Sequence, residues 1–197
     1  MNRRIATVLL VLSASVLTTG CFPLVVGGAA SGAAMIADRR QPDTLATDQR
    51  IEWTMSQEIE GHLGARVHVN VTSYNRQVLL TGEVTTPEGK AEIDNIAKRV
   101  HDVRKVFNEI QVGMPSAMNS RSNDTYITSQ VKARMVSAQK FNPIHVKVVT
   151  EAKTVYLMGL VTQQEADDAT EIARNTSGVQ KVVRLFEYVQ LRPSNSN

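Results

Sequence analysis

The chain has 197 residues, with 22 basic and 19 acidic side chains and a formal net charge of +3 at pH 7. This length accommodates one or two small domains, and the near balance of charge gives no indication of nucleic-acid binding. Its single cysteine, Cys21, excludes a disulfide within the chain.

The first 20 residues have the composition of a secretory signal peptide. Arg3 and Arg4 form a short positive region, and the apolar run 5–17 after them is shorter than the about 20 residues of a membrane-spanning helix. The tetrapeptide 18–21, Thr-Thr-Gly-Cys, then resembles the bacterial lipobox. It departs from that pattern at Thr18, where lipoboxes usually hold leucine. The alternative is an ordinary signal peptide followed by a cysteine that carries no lipid.

The lipobox resemblance implies that Cys21 carries a diacylglycerol on its sulfur and a further acyl chain, such as palmitate, on its new amino group. More than one acyl chain gives stable anchoring. Phe22, rather than an aspartate, follows Cys21, and by the same resemblance this implies release from the inner membrane. We therefore expect a protein anchored in the inner leaflet of the outer membrane and facing the periplasm.

Three segments have the composition of connections rather than of packed elements. Residues 21–47 are rich in Gly, Ala and Ser, and we expect a lipidated N-terminus followed by a flexible tether. Residues 113–123 predict a second linker, and residues 191–197 predict a polar tail. The two remaining segments, 48–112 and 124–190, are copies of one pattern.

The repeat is visible in two stretches of each copy. V-L-L-T-G-E-V at 78–84 matches V-Y-L-M-G-L-V at 155–161, and V-R-K-V at 103–106 matches V-Q-K-V at 179–182. Each copy predicts a helix, two strands, a helix and a third strand. A glycine stands in the middle of each second strand, which suggests a close approach by a helix or a bulge. These glycines are Gly82 and Gly159.

Hydrophobic periodicity predicts the core positions of the first helix and first strand. Spacings of three and four place one apolar stripe on each first helix. The stripes consist of Ile51, Met55, Ile59 and Leu63 in copy one, and of Ile127, Val131, Met135 and Ala138 in copy two. Alternation with period two predicts half-buried first strands. Their inward residues are Val67, Val69 and Val71, then Ile144, Val146 and Val148; their outward residues are His68 and Asn70, then His145 and Lys147.

The second helices have similar start and stop signals. Thr85-x-x-Glu88 and Thr162-x-x-Glu165 are typical of capping boxes. The helices are expected to close near Asp102 and Gly178, although aspartate tolerates the left-handed conformation less well than glycine. The third strands are predicted at 103–112 and 179–190.

Paired helix–strand–strand–helix–strand copies with V-x-L-x-G-x-V and a late G-V-x-x-V resemble BON domains. Two such copies behind a lipobox resemble the dual BON-domain outer-membrane lipoproteins, over nearly all of the chain after Cys21. The resemblance implies an α+β fold of two tandem domains, each a small three-stranded mixed sheet packed against two helices. It also implies phospholipid binding, mainly by the second copy, and a role in outer-membrane integrity. Copy one departs from the pattern, with His101-Asp102 where copy two has Ser177-Gly178.

The outward faces of the two first helices differ in charge. Copy one places Arg50, Trp53, Gln57 and Glu60 opposite its core stripe, on a helix with an excess of acidic residues. Copy two has an uncharged, partly apolar stripe with a cation on each flank, which suits an anionic membrane surface. The predicted phospholipid-binding residues are Tyr126, Ser129, Lys132, Ala133, Arg134 and Val136. The alternative is that Tyr126 packs on a neighbouring element and the cations are solvated.

Signatures of catalysis are absent from the sequence. The four histidines have no partners at metal-ligand spacing, and no phosphate-binding loop or nucleophile motif occurs. We predict a non-enzymatic protein without a cofactor, whose partner is an anionic phospholipid membrane and not nucleic acid. The alternative is a protein-binding adaptor that docks on outer-membrane assembly, cell-division or cell-wall proteins through the acidic helix and Trp53 of copy one.

Overall fold

The computed structural model describes residues 38–64 and 67–190. The predicted signal peptide, Cys21, most of the predicted tether and the polar tail lie outside the described residues, so the predictions made for them are untested. Within the described ranges, no helix combines the length and the apolar character needed to cross a bilayer.

Copy one has the predicted order of elements, which is a helix, two strands, a second helix and a final strand segment. These are α1 (Pro42–Leu63), β1 (Val67–Tyr74), β2 (Gln77–Val84), α2 (Pro87–Arg99), β3 (Lys105–Asn108) and β4 (Gln111–Val112). Strand β2 is central, antiparallel to β1 and parallel to both β3 and β4. The last strand, predicted as one piece, is broken because Ile110 turns into the core, where it is fully buried.

Copy two repeats this arrangement with a continuous last strand. Its elements are α3 (Met118–Ala138), a short 3-10 turn (Pro143–His145), β5 (Val146–Glu151), β6 (Thr154–Val161), α4 (Gln163–Arg174) and β7 (Lys181–Tyr188). Strand β6 is antiparallel to β5 and parallel to β7. The predicted α+β fold, two copies that each combine two helices with a small mixed sheet, is confirmed.

Both first helices begin earlier than predicted. Helix α1 begins at Pro42, inside the segment predicted as a tether, and α3 begins at Met118, inside the segment predicted as a linker. Proline suits a first helical turn because its missing N–H is not needed there. The small polar residues before Asp124 join α3 because extending a formed helix costs less free energy than nucleating one.

The helix stripes supply the core of each copy, with one exception. Ile51, Met55 and Ile59 are buried, as are their counterparts in copy two, Ile127, Val131 and Met135. Ala138, predicted to be inside, is exposed because α3 ends there and the chain leaves through Gln139 with φ 52°. Phe141 is buried in the core cluster beyond this end of the helix.

The start of one second helix differs from its prediction. In copy two the capping box is present, with the Thr162 side chain bound to the Glu165 amide and the Glu165 side chain bound to the Thr162 amide. In copy one the capping residue is Thr86, whose Oγ1 accepts a hydrogen bond from Gly89 N at 3.1 Å. The capping box predicted at Thr85 and Glu88 is therefore wrong: the cap is the next residue, and the third helical position is Gly89, which has no side chain to complete a box.

The two mid-strand glycines are required because a neighbouring backbone carbonyl lies against each of them. A Cβ atom on Gly82 would lie 1.9 Å from the carbonyl oxygen of His68, and one on Gly159 would lie 2.3 Å from that of His145. Gly82 also has φ +110°, which side chains rarely adopt. The predicted close approach exists. Strand β1 makes it at Gly82, and the last residue of the 3-10 turn that precedes β5 makes it at Gly159.

The two sheets pack against each other through the faces that point away from their helices. The apolar residues buried between them, which we call the seam, are Tyr74, Leu79, Tyr156, Met158 and Leu185. Polar contacts also join the copies: Lys147 Nζ lies 3.0 Å from Glu52 Oε1, and Asn70 Nδ2 lies 2.9 Å from Glu151 Oε2. The result is four layers, in the order helix, sheet, sheet, helix.

The seam corrects the prediction that His145 faces solvent. Its side chain is buried, and its carbonyl oxygen accepts a hydrogen bond from Tyr74 Oη at 3.3 Å. Lys147 was also predicted to point outward, and its ammonium group forms an ion pair with Glu52 of copy one. Alternation identifies the face opposite the helices but does not show that a second copy covers it.

Residues 38–41 were predicted to belong to a flexible tether, but they run across the seam and contact both copies. Arg39 forms a bidentate salt bridge with Glu165, with N–O distances of 2.6 and 2.9 Å, and donates a hydrogen bond to the Leu160 carbonyl at 2.8 Å. Arg40 pairs with Asp48 at 3.0 Å and lies 4.1 Å from the centre of the Tyr74 ring. Adjacent arginines thus bind copy two and copy one.

Candidate functional site

The structure places the six predicted lipid-binding residues on the exposed side of α3, which we call the α3 face. Ile127, Val131 and Met135 occupy the opposite, buried side of the same helix. Tyr126 and Val136 are each 61% exposed, so the alternative that Tyr126 packs on a neighbouring element is wrong. The geometry therefore leaves both apolar side chains available for contact with a partner.

The early start of α3 lengthens this face. Met118 and Ser122 precede Tyr126 by eight and four residues, so all three lie on one side of the helix. From Met118 to Val136 the stripe spans about 27 Å at 1.5 Å per residue. Met118 was not predicted as part of the face because residues 113–123 have the composition of a linker, although its spacing of four from Ser122 and of eight from Tyr126 was a signal.

The charge on the exposed side of α3 is entirely positive. The only acidic residue of this helix, Asp124, is buried, and its carboxylate accepts hydrogen bonds from the amides of Ala152 and Lys153, both at 2.9 Å. The remaining charged residues of the helix are Arg121, Lys132 and Arg134. Burial of Asp124 therefore makes the face better suited to an anionic surface than the sequence alone indicated.

Lys140, which the sequence places near this helix, does not contribute to the face. It lies beyond the end of α3, and its Nζ atom is 2.9 Å from Asp168 and 3.6 Å from Glu171. Hydrogen bonding to Asp168 and its charge raise the pKa of Lys140. The positive charge of Lys140 is thus balanced by acidic residues of α4.

The corresponding helix of copy one, α1, is built the same way but differs at its surface. Asp48 is buried, and its carboxylate accepts from Ser73 Oγ and from the amides of Asn75 and Arg76, at 2.7 to 2.8 Å. Trp53 is 67% exposed on the surface of α1. Copy one therefore presents an isolated aromatic residue rather than a basic, apolar stripe.

The buried aspartates stabilise an unfavourable turn in each copy. Both hairpins turn through two successive non-glycine residues with positive φ, at Asn75-Arg76 and Ala152-Lys153. Such conformations cost about 1 kcal/mol or more per residue, and charge-assisted hydrogen bonds from the turn amides to an aspartate compensate for this cost. Asp48 and Asp124 were not predicted to be structural residues, although their matching positions in the repeat were a signal of a shared role.

A cleft of about 460 Å³ runs along the flank of α3. Arg121, Lys132 and the hydroxyl of Thr128 line its helix side, and His68 and Asn70 of copy one line the other. Copy one therefore shapes the surface beside the α3 face. No group of three or more His, Cys, Asp or Glu side chains able to hold a metal ion occurs within residues 38–64 and 67–190.

Comparison with known families matches this architecture. The model of the BON domain family matches residues 47–114 and 123–190. The chain belongs to the BON domain family. Its dual-domain organisation is of the same type as that of the outer membrane lipoprotein DolP of Haemophilus influenzae, to which it is 35% identical over 182 residues, 91% of this chain and 94% of that protein.

Other matches are more distant. The chain is 32% identical over 150 residues to a 21 kDa hemolysin of Actinobacillus pleuropneumoniae, which covers 76% of each protein. Among solved structures, CdsD, a structural protein of the type III secretion system of Chlamydia trachomatis, aligns with 69% of this chain and 92% of its own at 12% identity and a TM-score of 0.30. That score is too low to support an argument about fold or function.

Proposed function

We propose that this chain is a non-enzymatic, lipid-anchored protein of the outer membrane that binds anionic phospholipid through its second BON domain and supports membrane integrity. The observation that carries the proposal is the α3 face, where exposed Tyr126 and Val136 lie among cations while the only acidic residue of the helix is buried. The similarity to an outer membrane lipoprotein supports the proposed location.

The strength of the proposed interaction depends on more than charge. Each cation near an anionic surface contributes about 1 kcal/mol, so the three cations of α3 contribute about 3 kcal/mol. A millimolar dissociation constant corresponds to about 4 kcal/mol, so charge alone gives weaker binding than that. Insertion of Tyr126 and Val136 adds apolar burial, and an anchor in the same membrane raises the local concentration of the face.

Vesicle binding by residues 21–197 with Cys21→Ser tests the proposal, since the apolar run 5–17 is absent from the proposed mature protein. We expect binding to phosphatidylglycerol vesicles, little binding to phosphatidylcholine vesicles and a marked loss of binding in high salt. Tyr126→Glu, or Lys132→Glu with Arg134→Glu, is expected to weaken binding at least tenfold. Trp53→Glu is the matched control, because it places the same charge at a similarly exposed aromatic position of copy one. Unchanged sedimentation of the α3 variants would rule out this face.

The proposal includes removal of residues 1–20 and lipidation of Cys21. Metabolic labelling with a fatty-acid analogue is expected to mark the native protein and not a Cys21→Ala variant. Equal labelling of both proteins would exclude Cys21 as the acylation site. The variant is also expected to leave the membrane fraction, since the α3 face alone binds weakly.

A second candidate function is that of an adaptor for outer-membrane assembly, cell-division or cell-wall proteins. The observation that favours it is Trp53, a large aromatic side chain that is 67% exposed on an acidic helix. A photoreactive residue at position 53 is expected to trap a protein in cells if the adaptor proposal is correct. The same residue at position 126 serves as the comparison, and crosslinks to lipid there would support the first proposal.

A further inference from the structure

The segment that joins the two copies presents two methionines to solvent. Met114 is 81% exposed and Met118 is 72% exposed, which makes them the most exposed large apolar side chains among the described residues. Single exposed apolar residues are common and need no explanation. These two stand four residues apart, next to an exposed face that already carries apolar side chains.

The backbone around Met114 is held in place. Gly113 N donates to the Val84 carbonyl at 2.7 Å, and Ser116 N donates to Glu83 Oε2 at 3.2 Å. Arg121 Nε donates in turn to Ser116 Oγ at 3.3 Å. Because hydrogen bonds fix the chain on both sides of Met114, its side chain is directed outward by the fold.

Met118 belongs to the same stripe as the α3 face. It lies in the first turn of α3, eight residues before Tyr126 and eighteen before Val136, which are positions on one side of a helix. Residues 113–123 contain no acidic side chain and one basic side chain, Arg121. An anionic surface that meets Tyr126 would therefore meet no repulsion from this segment.

We propose that Met114 and Met118 extend the α3 face as a membrane-inserting element, so that the segment between the copies enters the phospholipid surface together with copy two. This inference rests on the proposed function. Methionine is unbranched and flexible, and so fills irregular apolar surroundings such as the boundary between headgroups and acyl chains. Helix α3 then lies along the bilayer, with apolar contacts near both ends, at Met118 and Val136.

Glutamate substitutions in residues 21–197 with Cys21→Ser test the contribution of each methionine. Met114→Glu and Met118→Glu are each expected to weaken binding to phosphatidylglycerol vesicles about tenfold, which corresponds to about 1.4 kcal/mol. Met118→Leu should bind like the parent, and Trp53→Glu is the matched control. If Met118→Glu and Met114→Glu bind like the parent while Tyr126→Glu does not, the extension is excluded and the α3 face remains.

Spin labels provide a second measurement that does not depend on lost affinity. A nitroxide is attached to a cysteine at position 118, 126 or 136 of the Cys21→Ser chain, and its depth is measured on phosphatidylglycerol vesicles. All three labels are expected below the headgroups. Immersion at 126 and 136 with an aqueous label at 118 would overturn the extension alone, whereas aqueous labels at all three positions would overturn the proposed function as well.

The remaining outcome concerns a second copy of the chain. If the methionines instead form a contact between two protein molecules, the parent is expected to self-associate in the absence of lipid. Met118→Glu is then expected to dissociate these oligomers without affecting vesicle binding. Sedimentation of both proteins at several concentrations distinguishes this outcome, which would exclude the membrane as the occupant.

Discussion

Single buried aspartates determine the shape of the hairpin in each copy. Asp48 and Asp124 occupy the same place in their helices, and each accepts hydrogen bonds from the amides of the following β-hairpin turn. The turn residues in copy two are Ala152 and Lys153, which do not favour positive φ by themselves. The carboxylates thus stabilise turn geometry that the turn residues alone disfavour.

Removal of either carboxylate is expected to be strongly destabilising. Asp124→Ala should lower the free energy of unfolding by about 3 kcal/mol, because two amides lose a charged acceptor. Asp48→Ala should cost more, since it also leaves Ser73 Oγ and Arg40 without this partner. Urea unfolding measures both effects. Asp43→Ala, at an exposed position in the first turn of α1, is the control and should change stability by less than about 1 kcal/mol.

The glycine in each central strand is the second position where one residue decides the local structure. Gly159→Ala is expected to destabilise the chain by about 3 kcal/mol or more, because the new Cβ would lie 2.3 Å from the carbonyl oxygen of His145. Gly61→Ala is the matched control: no atom lies within 4 Å of its Cβ, and alanine favours the helix by roughly 0.5–1 kcal/mol. The midpoint temperature of thermal unfolding should fall for Gly159→Ala and rise for Gly61→Ala. Equal shifts in the two variants would contradict the steric explanation.

At the scale of elements, the start of α4 combines a helix cap with a contact to the N-terminal segment. Glu165 forms the capping box with Thr162, and its carboxylate also accepts two hydrogen bonds from the Arg39 guanidinium group. Burial by itself raises the pKa of Glu165, but the hydrogen bonds from Arg39 and from the Thr162 amide outweigh it and lower that pKa from 4.5 to about 2. The charged form of Glu165 is therefore favoured by folding.

The lowered pKa of Glu165 predicts an acid dependence of stability. Because the folded-state pKa lies below the unfolded value, this contribution is fully present above pH 4.5 and is lost as the pH falls toward about 2. Glu165→Gln should reduce the loss of stability in that window, and Arg39→Ala should reduce it in part. Urea unfolding at a series of acidic pH values measures how steeply the free energy of unfolding falls as the pH is lowered. A parent and a Glu165→Gln variant with identical slopes would contradict the assignment.

At the scale of the whole molecule, the seam joins the two copies into one packed structure. Leu79 and Met158 are completely or almost completely buried in it, and ion pairs such as that of Lys147 with Glu52 lie at more exposed positions. Apolar burial of this kind contributes more to stability than partly exposed ion pairs, which are worth about 0–1 kcal/mol. We therefore attribute the association of the copies mainly to the apolar seam.

Substitutions in the seam should separate the copies. Met158→Glu buries an uncompensated charge, so we expect the single unfolding transition of the parent to divide into two and the radius of gyration to increase. Lys147→Ala is the control and should shift stability by less than about 1 kcal/mol. Calorimetry and small-angle scattering measure these effects, and a single unchanged transition in Met158→Glu would show that the seam does not couple the copies.

The sequence by itself determined the repeat, the order of elements, the core stripes of the helices and the stripe around Tyr126. These follow from periodicity and local start signals, which depend on residues within a few turns of each other. Only the tertiary structure decided that Asp48 and Asp124 are buried, that the His145 side chain is buried and that Arg39 binds α4. Each of these depends on groups far apart in the chain, so neither composition nor spacing predicts them. The surface charge of α3 belongs to the second group, because burial of Asp124 by a distant hairpin leaves that face wholly positive.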